Sequence, residues 1–125
     1  MSTPVLTRNF IAGAAITKRR IVKFDAADWT VIQATAVTEA LIGVAAELDI
    51  ASGARVDVHV AGIVEVEFGG NVTRGGLLTA DADGKAVAAA PAQGVNNNVI
   101  GRAIVSGSAG DVGLVLLAPG IIQGA

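Results

Sequence analysis

The fold is decided by residues 54–68, which have the sequence ARVDVHVAGIVEVEF. Apolar side chains take every second position from Val56 onward, and charged side chains such as Asp57 and Glu65 fall between them. Because successive side chains of a β-strand point to opposite faces, this alternation predicts a half-buried strand. Since glycine tolerates backbone geometry that other residues resist, Gly62 in the middle of the stretch predicts a bend or bulge there.

Shorter segments of the same kind lie on both sides of this stretch. They form pairs of β-rich runs separated by turns that contain Asp or Gly, a pattern that predicts hairpins. Together the runs predict an all-β domain of seven to nine short strands, arranged as a small β-barrel or sandwich. The paired runs are residues 21–24 with 29–33, 77–80 with 85–88, and 99–105 with 112–117.

A helix competes with a strand only in residues 35–48. Thr35 is a suitable helix cap and apolar residues recur three and four positions apart. Gly43 and several β-branched residues oppose a helix. We therefore expect at most one short helix, near residues 35–41, followed by a strand at residues 41–46.

An internal echo supports that strand. Residues 41–45 resemble residues 99–103 at an offset of 58, and residues 53–61 run parallel to residues 110–118 at an offset of 57. Each unit consists of a strand, a glycine-rich turn and a second strand. The echo therefore predicts two related hairpins in one sheet or barrel.

Composition excludes several kinds of function. The chain has no cysteine and a single histidine, so it lacks thiolate chemistry and a multi-histidine metal site. A net charge of −2 gives no electrostatic footprint for nucleic acid. The sequence contains neither an apolar run long enough for a membrane nor the pattern of a signal peptide, so we expect synthesis in the cytoplasm. We expect no enzyme activity, metal or cofactor.

The first residues of the chain predict an extended arm. Residues 1–9 have no clear period and include Pro4, whereas residues 10–125 predict a single β-domain. Such an arm is either disordered or adds a strand to a neighbouring subunit or partner. The residues that we expect to contact a partner surface or another subunit are Thr3, Pro4, Val5, Leu6, Arg8, Phe10 and Trp29.

Other candidate sites have simpler explanations. His59 has the chemistry of a pH switch or a metal ligand, but a solvated or cross-strand paired histidine is the commoner case. Residues 81–84 begin like a calcium loop and lack its later ligands, and residues 69–76 are rich in glycine but lack the Lys-Ser/Thr of a phosphate loop. Residues 18–20 form a cationic cluster that suits an acidic partner surface or a solvated turn.

Taken in order, a set of turn-and-strand motifs resembles the head decoration proteins of tailed phages, also called capsid cement proteins. The likeness covers roughly residues 8–118. The matching segments are residues 43–45, 51–58, 60–64, 75–78, 81–87, 100–103 and 110–116.

This resemblance implies a compact, β-tulip-like domain on the outer capsid surface of the virion. It implies a homotrimer at three-fold or quasi-three-fold positions, with the major capsid protein of the tailed-phage type as partner. The implied work is to hold neighbouring capsomers against internal DNA pressure after the head expands. The resemblance carries over no catalytic or contact residues.

A second reading is a carrier domain of the biotinyl or lipoyl type, or another small β-barrel binding module. Residues 64–68, a glycine-rich turn and residues 76–78 are similar to the hairpin of such barrels. A carrier needs a modifiable lysine at an exposed hairpin tip. Lys85 follows a turn but lacks the expected methionine or acidic neighbour.

Overall fold

The computed structural model describes residues 3–124 as nine β-strands in one sheet. The all-β prediction is confirmed, and these residues contain no helix. No helical segment that could cross a membrane occurs in the described part of the chain. The strands are β1 (Thr3–Ala12), β2 (Ile21–Phe24), β3 (Thr30–Gln33), β4 (Leu41–Ala45), β5 (Arg55–Glu67), β6 (Leu77–Ala80), β7 (Ala86–Ala88), β8 (Asn96–Ala103) and β9 (Val112–Gln123).

The strand pairings close into two rings that share β5. β1 pairs with β3 on one side and with β5 on the other, so β1, β3, β2, β4 and β5 form the first ring. In the second ring β5 is followed by β9, β8, β6 and β7, and a bridge between Phe68 and Ala86 closes it. We call residues 3–60 the first unit and residues 61–124 the second unit.

β5 has the alternation that its sequence predicts. Val56, Val58, Val64 and Val66 are buried, and the charged residues between them are half-buried or exposed. Gly62 has a φ of +103°, and a Cβ there would lie 2.5 Å from the backbone nitrogen of Val5. Only glycine fits this bend, because any side chain would collide with β1.

The predicted arm forms the first part of β1. Thr3 is in register with Ile63 and Asn9 with Asp57, so residues 3–9 pair with β5 of their own chain. Their side chains are all exposed. Residues 1, 2 and 125, which belong to the predicted arm and domain, lie outside the described residues.

The internal echo is present in the strand registers. Val44 faces His59 between β4 and β5, and at the echoed positions Arg102 faces Leu116 between β8 and β9. The equivalence extends beyond the echoed segments. Phe10 faces Val56 and Val66 faces Gly113, and the Ile16–Ile50 bridge has its counterpart in the bridge between Val72 and Gly107. The two units are therefore copies of one arrangement, offset by 55 to 58 residues.

The hydrophobic cores of the two units place large and small side chains at opposite members of the same set of equivalent positions. In the first unit Ala12 packs with Val56 and the partly buried Ile50. The second unit has Phe68 in place of Ala12, and Gly113 and Gly107 in place of the other two. A Cβ at either glycine would lie within 2.8 Å of the Phe68 ring. One large side chain in the second unit thus occupies the space that two side chains share in the first.

Two local expectations are corrected. Residues 36–39 form a bend and turn instead of a helical turn, because the Glu39 carboxylate accepts hydrogen bonds from the backbone N–H groups of Thr35 and Ala36. β8 and β9 are longer than the predicted runs at 99–105 and 112–117. Residues 96–98 pair with residues 121–123, so β8 begins three residues before its predicted run and β9 ends six residues after its own.

Candidate interaction surface

Three of the predicted contact residues meet on one side of the first unit, where Arg8 and Trp29 are exposed and Phe10 is buried, at 5% exposure. The ring centroids of Phe10 and Trp29 lie 5.7 Å apart, and the Arg8 guanidinium lies 5.1 Å from the Trp29 centroid. β1 supplies Arg8 and Phe10, and the turn before β3 supplies Trp29. The cation and the two rings stack in a preferred geometry, which holds the indole in one orientation.

Trp29 lies in an unusual backbone conformation. Its φ is +59°, in the left-handed region that side chains other than glycine rarely adopt. The equivalent residue of the second unit is Gly84, with a φ of +74°. The first unit therefore keeps a large aromatic side chain at a position where the fold favours glycine, and such strain is commonest at functional sites.

Trp29 borders an apolar groove of about 280 Å³. We call this the aromatic groove; it is lined by Phe10, Phe24, Asp28, Trp29 and Ile42. Phe24 and Trp29 are 53% and 54% exposed. Large aromatic side chains that lie next to each other are seldom left this exposed in a folded domain.

The sequence did not identify Phe24, Asp28 and Ile42 as members of this surface. Its one usable signal was composition, because the chain has only three Phe, one Trp and no Tyr. Three of these four aromatic residues line the aromatic groove, where Phe10 is buried and Phe24 and Trp29 are exposed, and the fourth, Phe68, is buried in the second unit. Their convergence depends on β1, β2 and β4 meeting in one ring, which no local pattern specifies.

The other predicted contact residues lie toward the opposite end of β1. Thr3, Pro4, Val5 and Leu6 are all exposed, with Val5 80% and Leu6 47% exposed. They lie beside the bend of β5, where Thr3 and Pro4 face Ile63 and Gly62. The structure thus divides the candidate residues into the aromatic groove and this β1 tip, residues 3–6.

His59 is buried and makes a cross-strand contact. It is 8% exposed, and its Nδ1 lies 2.8 Å from the hydroxyl oxygen of Thr7 on β1. Its Nε2 lies 3.8 Å from a carboxylate oxygen of Glu47. The expectation of a cross-strand pair fits this geometry, whereas a solvated histidine does not. No group of three or more potential metal ligands occurs in residues 3–124.

The charged residues of β5 pair with cations from a loop of the first unit. Arg19 Nε lies 3.4 Å from Glu65, and Arg20 Nε lies 3.1 Å from Glu67. Lys85 also contacts Glu67, at 3.5 Å. The cationic cluster of the sequence therefore binds acidic residues of the same chain. Lys85, the lysine that a carrier domain would modify, is partly buried in this network.

Two comparisons with known proteins found matches to this chain. The model of a family described as phage cement protein matches residues 2–118. Among solved structures, the chain is similar to the head fiber gp8.5 N base of bacteriophage phi29, with a TM-score of 0.67 and 19% identity. That match covers 90% of this chain and 93% of the other. None of the curated proteins matches the sequence significantly.

Proposed function

The chain belongs to the phage cement protein family, and on that premise we propose that it binds the outer surface of the phage head and stabilises the head after expansion. Family membership gives it a structural, capsid-associated role in the virion. The proposal adds the partner, which is the major capsid protein, and the assembly, which is a homotrimer on the shell. It also adds that the protein is made in the host cytoplasm and that it has no catalytic function.

The exposed apolar surface supports this proposal best. Val5 is 80% exposed on the β1 tip and Trp29 is 54% exposed in the aromatic groove. Protein–protein interfaces concentrate large apolar and aromatic side chains at their buried centres. We propose that the capsid and inter-subunit contacts are made by Thr3, Pro4, Val5, Leu6, Arg8, Phe10 and Trp29.

The pairing of β1 with β5 supports a role for the β1 tip in the capsid contact. The tip is held to β5 by strand pairing, so its backbone is ordered before a partner arrives. Binding then orders few groups, which lowers its entropic cost. Many such contacts, repeated over a shell, stabilise it even where each is weak.

Co-sedimentation with heads that lack their decoration protein tests the proposal. We expect the protein to sediment with expanded heads and to bind unexpanded heads poorly, and the decorated heads to survive heating better than bare ones. Val5→Asp should weaken binding roughly tenfold or more, because it places a charge in the apolar contact. Leu48→Asp is the matched control, since Leu48 is 71% exposed on a loop outside the proposed contact. Failure of the protein to bind either form of the head would refute the proposal.

A further inference from the structure

Inside the chain, an edge of the first unit covers one end of the second. Ile21 donates a backbone hydrogen bond of 2.8 Å to the carbonyl of Gly84. Gln33 Nε2 donates to the carbonyl of Asp83 at 2.6 Å. We call Arg20, Ile21, Gln33 and Ala34 the covering edge. Beneath it, Ala80 is fully buried and Gly84 is buried as well.

Because the units are copies, each part of this contact has a counterpart elsewhere. The residues equivalent to Ala80, Asp83 and Gly84 are Phe24, Asp28 and Trp29, which line the aromatic groove. The counterpart of the covering edge is the set Gly76, Leu77, Ala88 and Ala89, which we call the second edge. The equivalence is visible in the backbone: Ala34 donates to Ile21 and Ala89 donates to Leu77, both at 2.9 Å.

The aromatic groove and the second edge do not cover each other within the chain. Phe24 and Trp29 are more than half exposed, whereas their equivalents Ala80 and Gly84 are buried. Ala88 is exposed, and Gly76, Leu77 and Ala89 are half-buried. The fold therefore presents both halves of a contact that it also makes internally.

The large and the small side chain lie on opposite sides in the two contacts, the one made within the chain and the one left open. Within the chain, large edge residues such as Gln33 meet a small residue, Gly84, where a Cβ would lie 2.7 Å from Gln33 Cγ. In the open pair the groove carries the large residue, Trp29, and the edge carries the small one, Ala88. Close packing requires that a large residue meet a small one, as in the two cores.

We propose that the second edge of one copy docks into the aromatic groove of a second copy. This inference rests on the homotrimer proposed above and names its interface. The contact is heterologous, since two different surfaces meet, so its repetition closes a ring when the rotation allows. Within the chain, Arg20 of the covering edge forms an ion pair with Glu67. The residues equivalent to these two are Gly76 and Ile11, so the contact between copies is apolar at this position.

Cross-linking between engineered cysteines tests the interface, and the chain has no cysteine of its own. Asp28→Cys marks the groove, because the equivalent Asp83 contacts Gln33, and Ala88→Cys marks the second edge, because Ala88 is equivalent to Gln33. The two single variants are mixed, at high concentration and on expanded heads, and treated with a short bis-maleimide. We expect a roughly tenfold excess of dimer in the mixture over either variant alone.

The control variant is Val105→Cys, an exposed site on the second unit outside the second edge. Mixed with Asp28→Cys, it should give only the background of each single variant. Cross-linking of Asp28→Cys to Ala88→Cys at that background, or strong cross-linking of either variant to itself, would overturn the head-to-tail interface.

Fluorescence of the single tryptophan gives a second measurement without cysteine variants. Trp29 emission should shift to the blue and become less accessible to acrylamide as the concentration of protein alone is raised. Trp29→Gly should weaken self-association roughly 30-fold, as loss of a central tryptophan does in other interfaces. A shift that occurs only on adding heads, with no cross-linking of groove to edge on those heads, would assign the groove to the capsid and overturn the proposal. Heads that bind protein whose groove and edge do not cross-link would overturn it too, while leaving the proposed function intact.

Discussion

The two units have one backbone plan and two distributions of side-chain volume. Strand registers, bridges and positions of positive φ recur at offsets of 55 to 58 residues. The first unit has Phe24 and Trp29 exposed at its open end and Ala12 in its core, whereas the second has Phe68 at the position equivalent to Ala12 and Gly84 at its covered end. The comparison teaches that hydrogen bonding sets this fold, while the side chains decide which surfaces are left for partners.

Phe68→Ala should have the largest effect on this comparison. It gives the second unit the small core residue of the first without the side chains that fill the space around Ala12. Because Phe68 is fully buried, we expect a loss of about 4 kcal/mol in the free energy of unfolding. Urea denaturation followed by circular dichroism measures it.

The rescue of this variant tests whether the cores truly exchange volume. Gly113→Val and Gly107→Ile, added to Phe68→Ala, rebuild the core of the first unit in the second. We expect the triple variant to recover a large part of the lost stability. Gly113→Val alone should destabilise, because a Cβ there meets the Phe68 ring. A triple variant no more stable than Phe68→Ala would show that the two cores are not interchangeable.

Alanine at Gly43 and at Gly101 should cost less, and the two costs should be similar. A Cβ at Gly43 would meet the carbonyl of His59, and one at Gly101 would meet the carbonyl of Leu116, the echoed residue. The two paired strands must then move apart, which should lower the free energy of unfolding by about 2–3 kcal/mol. The midpoints of urea unfolding give both values. Gly120→Ala is the control, since nothing lies closer than 3.9 Å to its Cβ, and its effect should be small. Clearly unequal costs would break the equivalence of the units.

Glu39→Gln should have the smallest effect and should depend on pH. Burial alone would raise the pKa of Glu39, but the Lys23 ammonium and the N–H groups of Thr35 and Ala36 together lower it below its ordinary value of 4.5. A lowered pKa in the folded state adds stability above the ordinary pKa and loses it as the pH falls through the folded value. We expect a loss of about 1 kcal/mol at pH 7 that disappears in acid. The control is Asp28→Asn, an exposed carboxylate, and a loss that persists in acid would contradict the ionic explanation.

Most strands follow from local pattern, and so do their approximate limits, but the first part of β1 does not, because residues 3–9 have no clear period. The alternation of residues 54–68 and the echo of residues 41–45 both identified strands that the structure contains. The extension of β8 was missed because Asn96 to Asn98 and Pro119 are typical of loops. Those residues pair because each strand offers its partner a free edge, and that tertiary opportunity overrides weak β propensity.

The interaction surface was predicted only in part. Arg8, Phe10 and Trp29 were selected from the sequence and do meet, but Phe24 and Ile42 reach the aromatic groove through strand pairings far apart in sequence. The left-handed φ of Trp29 was also missed, because that conformation predicts glycine and the sequence has none there. Only comparison with Gly84 identifies it.

The sharing of β5 has a mechanical consequence. Two domains joined by a loop can swing apart before tension passes between them. Here one continuous strand is hydrogen-bonded to β1 and β4 at one end and to β9 at the other. A pull between the units is carried along that strand and is shared by the hydrogen bonds to several neighbouring strands. Force on one unit therefore reaches the other through β5 itself and not through a loop.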